Sequence, residues 1–244
     1  MARDHALALA LARGAAALRV YRWAPPTVSL GRNEPARGLY DLGAAAARGL
    51  DFVRRPTGGR AVLHDRELTY AVAVPVGALG GLRETYRRVN AGLVRALRGL
   101  GVPAALADDG APAVAPDAGA CFRRAARGEV TVGGRKLVGS AQVRLGAALL
   151  QHGSLLLGPG QELIEAVRTG GSRGAGAAPA SLGELLGGAP PWDRLVDGLI
   201  DGLRSELGGR WAREERREAS DGRVGALESR LERRYRSEAW TWRR

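Results

Sequence analysis

Apolar and polar positions along the chain change period several times, and each change marks an element. Residues 2–17 are dominated by Ala and Leu and predict a first helix, flawed at Gly14. Residues 18–23 alternate and predict a strand; Pro25 and Pro26 break it, and residues 27–31 predict a second, shorter one. Residues 35–48 predict a helix ended by Gly49. Strands are expected over 51–55, 60–63 and 68–74, the first two joined by a tight turn at Pro56-Thr57-Gly58-Gly59. Residues 82–100 carry apolar side chains at helical period with charges opposite, and Gly101 ends the run. Residues 107–120, rich in Pro, Gly, Ala and Asp, predict a loop. A short strand is expected over 129–132, a strand, turn and strand over 135–157, and a helix over 161–168. Residues 169–180 read as a surface loop. From Ser181 onward the pattern is mostly helical, with mixed charges over 213–235 forming a solvated face.

Short strands with helices before, between and after them predict an α+β fold, its sheets mixed but mostly antiparallel and flanked by helices. The strict βαβ alternation of a doubly wound sheet is absent. A chain of 244 residues can bury a full core, so residues 1–244 are expected as one domain with a helical segment from about 181. No apolar run is long enough to span a membrane. Residues 5–12 faintly resemble the apolar stretch of a secretory signal. They are short, Asp4 precedes them and Arg13 interrupts them, so they are read as the apolar face of the first helix.

Charge changes this picture only partly. A net charge of +12 favours acidic partners: nucleic acid, an anionic membrane or acidic proteins. Arginine is spread along the chain rather than gathered in one arm, which argues against nucleic acid, and Arg-rich codon usage, seen beside heavy Ala and Gly usage, is the plainer explanation of the excess. Two single residues change it more. Lys136 is the one lysine among 37 basic residues, and Cys121 is the one cysteine. Lys is a compact ammonium whose proton affinity moves on burial, whereas Arg is locked in its charged form. A nearby ammonium also favours a thiolate over a thiol. The plainer alternatives are drift for the lysine and a small buried hydrophobe for the cysteine. A single cysteine forms no intrachain disulfide, and a cytoplasmic location is expected.

Three segments are candidates for chemistry. Arg54-Arg55-Pro56-Thr57-Gly58-Gly59-Arg60, followed by Ala61-Val62-Leu63-His64-Asp65, pairs two glycines that let backbone N–H groups approach an anion or an acyl chain. It lacks the Gly-Lys-Ser/Thr of a Walker loop, and an ordinary hairpin turn is the alternative. Gly134-Arg135-Lys136-Leu137-Val138-Gly139-Ser140-Ala141-Gln142 places small residues after the lysine, either for a ligand or for tight strand packing. Gln151-His152-Gly153-Ser154 supplies a second histidine beside glycine. Three histidines and one cysteine, without CxxC or HExxH, make a metal site improbable, and there is no GxSxG elbow.

Taken in order, PPTVSLGR at 25–32, RRPTGGRAVLHD at 54–65, GRKLVGSAQ at 134–142, QHGSLLL at 151–157 and YRSEAWTWRR at 235–244 resemble the biotin/lipoate protein ligase superfamily. Within it the chain is most similar to the cysteine-dependent octanoyltransferases. Arg60 stands where ligases usually carry a third glycine, HDRELTY at 64–70 resembles the octanoyltransferase version more than the ligase version, and Cys121-Phe122 resembles that subgroup's nucleophile site. The segment from Arg123 to Gly128 departs from the subgroup in being strongly basic. The resemblance implies a biotin/lipoate-ligase-like fold and octanoyl transfer from octanoyl-acyl carrier protein through a Cys121 thioester. The acceptor would be a lysine of a lipoyl domain or glycine cleavage H protein, in lipoate biosynthesis. It implies that Lys136 lies near Cys121 and lowers its pKa. Arg55, Gly58, Gly59, Arg60 and His64 would shape one side of the acyl site, and Gly139, Ser140, Ala141, His152 and Gly153 the other. No cofactor, metal, nucleic acid or membrane partner is implied. An ATP-dependent lipoate–protein ligase and a catalytically inert binding relative are the alternatives.

Overall fold

The structure, a computed structural model, describes residues 1–11, 14–107, 122, 125–170, 177–213 and 222–244. Its larger sheet has six strands in the order β1-β5-β9-β8-β7-β6, every neighbour antiparallel. These strands are β1 (Ala17–Tyr21), β5 (Glu67–Pro75), β6 (Ala105–Leu106), β7 (Val130–Val132), β8 (Arg135–Leu145) and β9 (Ala148–Leu156). A smaller sheet has the order β3-β2-β4, formed by β2 (Thr27–Leu30), β3 (Asp51–Arg54) and β4 (Val62–His64). The helices are α1 (Ala2–Ala10), α2 (Leu42–Ala46), α3 (Leu82–Gly99), α4 (Leu163–Ala166), α5 (Leu182–Leu186), α6 (Trp192–Leu207), α7 (Gly222–Tyr235) and α8 (Glu238–Thr241).

Alternation along β5 sorts its side chains between two cores. Tyr70, Val72 and Val74 face the main core with Val89, Leu93 and Leu97 of α3 and Leu195, Leu199 and Leu203 of α6. Ala71 and Ala73 face the other way, against Ala8 of α1 and Leu150 of β9. α3 and α6 cross at small residues: a Cβ on Gly202 would lie 2.4 Å from the Gly92 carbonyl oxygen. Ala6 of α1 packs with Val224, Leu231 and Tyr235 of α7. Among the described residues no helix is long and apolar enough to cross a membrane.

Three expectations are corrected. The first helix stops at Ala10, and Ala17 already belongs to β1. Of residues 35–48 only Leu42–Ala46 are helical, with the Asp41 side chain accepting from the Ala44 N–H. Upstream, the N–H groups of Ala36 and Arg37 donate to the Arg244 carbonyl at 2.9 and 2.7 Å, so a contact from the far end of the sequence replaces the local helix. Finally, the tight turn expected at 56–59 does not join neighbouring strands, and its hairpin alternative falls with it. β2 lies between β3 and β4, parallel to the first and antiparallel to the second, so this segment crosses over the end of β2. The loop expected over 107–120 falls, apart from Ala107, outside the described residues.

Candidate active site

A cavity of about 470 Å³ is lined by residues of both sheets. Lys136 and all ten residues assigned above to the acyl site (Arg55, Gly58, Gly59, Arg60, His64, Gly139, Ser140, Ala141, His152, Gly153) line it. Cys121 lies outside the described residues.

The crossing loop is built by its arginines. Arg55 donates to the carbonyls of Ser29 (2.8 Å), Gly58 (2.8 Å) and Arg60 (2.8 Å), curling residues 55–60 around one guanidinium. Arg54, fully buried, donates to the carbonyls of Gly31 (2.6 Å), Glu34 (2.7 Å) and Thr241 (2.8 Å), tying α8 to the loop after β2. Glu34 accepts from the N–H groups of Gly31 (2.8 Å) and Ala61 (3.0 Å), and burial holds its carboxyl above the usual range. Gly59 adopts φ +89°, a left-handed conformation that favours glycine.

Cross-strand register explains why two separate sequence motifs meet. Ser140 pairs with Gly153 and Ala141 with His152 along β8 and β9, while Tyr70 of β5 stands on the other side of Gly153. The glycines here make room for the protein's own groups. A Cβ on Gly139 would meet Phe122 Cζ at 2.9 Å, and one on Gly153 would meet the Gly139 carbonyl oxygen at 2.3 Å and the Tyr70 ring at 2.7 Å. Beside them runs a polar network. Tyr70 Oη shares a 2.7 Å hydrogen bond with Ser140 Oγ, which donates to Asn90 Oδ1 at 3.1 Å; Gln151 donates to Tyr70 Oη and Asn90 Oδ1 at 3.2 and 3.0 Å. Burial pushes the Tyr70 phenol up to about 12, so it keeps its proton.

The two histidines hold different places. His152 Nε2 is 2.6 Å from Thr57 Oγ1, joining β9 to the crossing loop, and burial lowers its pKa to about 3, so the imidazole is neutral. His64 stacks on Trp23 (ring centroids 4.4 Å apart) and bridges Glu67 Oε1 (2.9 Å) and Ser29 Oγ (2.7 Å).

Lys136 is the second residue of β8, is 3% exposed, and places Nζ 2.8 Å from Glu129 Oε1 and 5.1 Å from the centre of the Phe122 ring. Sequence reasoning missed Glu129, Ser29, Glu34 and Tyr86, all of which line the cavity. Glu129 alone left a signal: it is the one acid between Cys121 and Lys136, in an otherwise basic segment. Chemically, the cavity joins glycine-lined walls to the buried Lys136 amine, suited to a chain with a polarisable carbonyl at one end.

The model of the lipoyl protein ligase A/B catalytic domain matches residues 1–203. The chain belongs to that family. Within the family it is 43% identical over 227 residues to the octanoyltransferase LipM of Kyrpidia tusciae, covering 86% of this chain and 83% of that one. It is 40% identical over 231 residues to the octanoyltransferase LipM of Symbiobacterium thermophilum, covering 85% and 81%. The fold is that of a lipoate-protein ligase A solved with ATP, with a TM-score of 0.81 at 22% identity over 99% of this chain and 92% of that one.

Proposed function

We propose that this chain is an octanoyltransferase of lipoate biosynthesis, moving an octanoyl group from octanoyl-acyl carrier protein to a lysine of a lipoyl domain or glycine cleavage H protein. The observation that carries this is the likeness to octanoyltransferases over more than four-fifths of each chain. The residues lining the cavity support this reading. Cys121, as thiolate, attacks the thioester carbonyl; a carbon–sulfur bond to the enzyme forms, the one to the carrier breaks, and the carrier leaves as a thiolate that takes up a proton. The acceptor amine then attacks the enzyme thioester, a carbon–nitrogen bond forms, the amine proton is released to water, and Cys121 returns as thiolate. Exchanging one thioester for another is nearly balanced, so the first half needs no ATP, and amide formation makes the second half downhill. Lys136 favours the thiolate and steadies negative charge developing on the carbonyl oxygen. Residues 58–60 and His64 wall one side of the alkyl chain, and residues 139–141, His152 and Gly153 wall the other. Each buried methylene contributes about 0.8 kcal/mol, so the length of this cleft sets the preferred chain. The net charge of +12 speeds encounter with acidic carrier domains and makes the rate salt-dependent.

Intact-mass spectrometry after incubation with octanoyl-acyl carrier protein tests the proposal. An octanoyl adduct is expected that is absent in Cys121→Ala and discharges onto an apo lipoyl domain. Activity that requires ATP and free octanoate, and survives Cys121→Ser, would instead establish a ligase.

A further inference from the structure

Both carboxylate oxygens of Glu129 are engaged. Oε1 accepts from Lys136 Nζ at 2.8 Å, and Oε2 accepts from the Ala126 N–H at 2.7 Å. Both side chains are almost fully withdrawn from water, at 6% and 2% exposure for Glu129 and Lys136. The turn carrying Glu129 is itself fixed from two directions. Asn90 Nδ2 of α3 donates to the Gly128 carbonyl at 2.7 Å, and the Gly128 N–H donates to the Ala107 carbonyl at 3.0 Å. The Lys136 ammonium is thus set on an anchored anion, with the Phe122 ring 5.1 Å away. Burial alone pulls a lysine towards its neutral form, whereas a carboxylate in hydrogen-bond contact favours the ammonium.

We propose that Glu129 is the positioning residue for Lys136: it keeps the proton on Nζ and fixes the ammonium beside Phe122. Lys136 then serves acyl transfer as a fixed positive charge and not as a base that takes the acceptor's proton. This rests on the reading of Lys136 given under Proposed function, but its physical core does not depend on Cys121. Among the described residues, the other titratable groups on this cavity are the α-amine of Met1, Tyr86 of α3, His64 of β4, His152 of β9, and Glu34, Arg55 and Arg60 of the loops. Of these and Glu129, Glu129 is the carboxylate in contact with Nζ.

The sequence offers an unusually direct test. Because Lys136 is the one lysine among 37 basic residues, lysine labelled with 15N at Nζ puts a single side-chain signal into the whole protein. In the parent protein that signal is expected to remain that of an ammonium to about pH 10. In Glu129→Gln, which keeps a hydrogen-bonding amide and loses the charge, its titration midpoint is expected to fall by about one unit or more. The basic limb of the acyl-transfer pH profile is expected to fall with it, and Glu129→Asp to restore both. An identical midpoint in parent and Glu129→Gln, or a neutral Lys136 in the parent at about pH 8, overturns the proposal. The parent titration needs no variant, so a poorly folded substitution leaves the test intact. If the octanoyltransferase reading were wrong, the mass adduct would fail while this lysine titration stood.

Discussion

Gly31 and Gly59 approach so closely that a Cβ on Gly31 would lie 1.7 Å from the Gly59 carbonyl oxygen. The end of β2 and the crossing loop therefore touch backbone to backbone, and no side-chain rotation relieves an added methyl. Gly31→Ala is expected to cost about 3 kcal/mol or more, because a loop held by Arg55 and Glu34 must shift. Gly58→Ala, where a Cβ meets nothing within 4 Å, is expected to stay close to the parent. Urea unfolding of the pair checks this; equal midpoints would remove the argument for a rigid loop.

Gly139 and Gly153 are expected to differ in kind. An alanine at 139 presses on Phe122 and, at 3.3 Å, on Lys136 Cε, both side chains that can give. An alanine at 153 presses on the Gly139 carbonyl and the Tyr70 ring inside the sheet. Gly139→Ala should fold and lose about tenfold or more in acyl transfer, a displacement of the ammonium being costly to geometry. Gly153→Ala should lose stability first, by about 3 kcal/mol. Thermal melts beside transfer rates separate the two, and the reverse ranking would contradict the packing.

Lys136 offers a test of charge against shape. Lys136→Met leaves Glu129 as a buried unpaired carboxylate, expected to cost about 3 kcal/mol of stability as well as activity. Lys136→Arg keeps the charge but replaces a compact ammonium with a planar fork beside Phe122 and Glu129. It is expected to fold and to lose about a hundredfold or more in acylation, followed by the rate of octanoyl adduct formation. Full activity of Lys136→Arg would mean that charge alone suffices.

Two histidines set an acid limit. Burial lowers His152 to about 3; burial, then Arg234 and the Met1 ammonium, lowers His5 to about 4. Both folded values lie below the unfolded value near 6.5, so the unfolded chain binds more protons below that pH. The stability from keeping these rings neutral is whole above about pH 6.5 and lost as pH falls towards about 3. Each ring contributes a slope of at most about 1.4 kcal/mol per pH unit in that window. Denaturant melts from about pH 7 to 4 should show a shallower slope in His152→Asn than in the parent. Parallel slopes would mean that His152 titrates alike in both states.

Sequence alone was enough for what depends on near neighbours. The period of 82–100 made α3, and the residues of 129–132, 68–74 and 135–157 made β7, β5, β8 and β9. These rest on spacings of two to four residues, which local propensity and side-chain period report directly. The motif residues were also legible, because glycine doublets and a solitary lysine stand out against an Ala, Gly and Arg background. The tertiary structure decided what those residues face. It set β2 between β3 and β4, it gave residues 36 and 37 the Arg244 carbonyl in place of a helical turn, and it turned the space at Gly139 and Gly153 over to Phe122 and Tyr70. It also gave Lys136 its carboxylate, Glu129, seven residues away across a strand and a turn. Such pairings depend on register and burial between segments distant in sequence, and no local period encodes which buried charge another will meet.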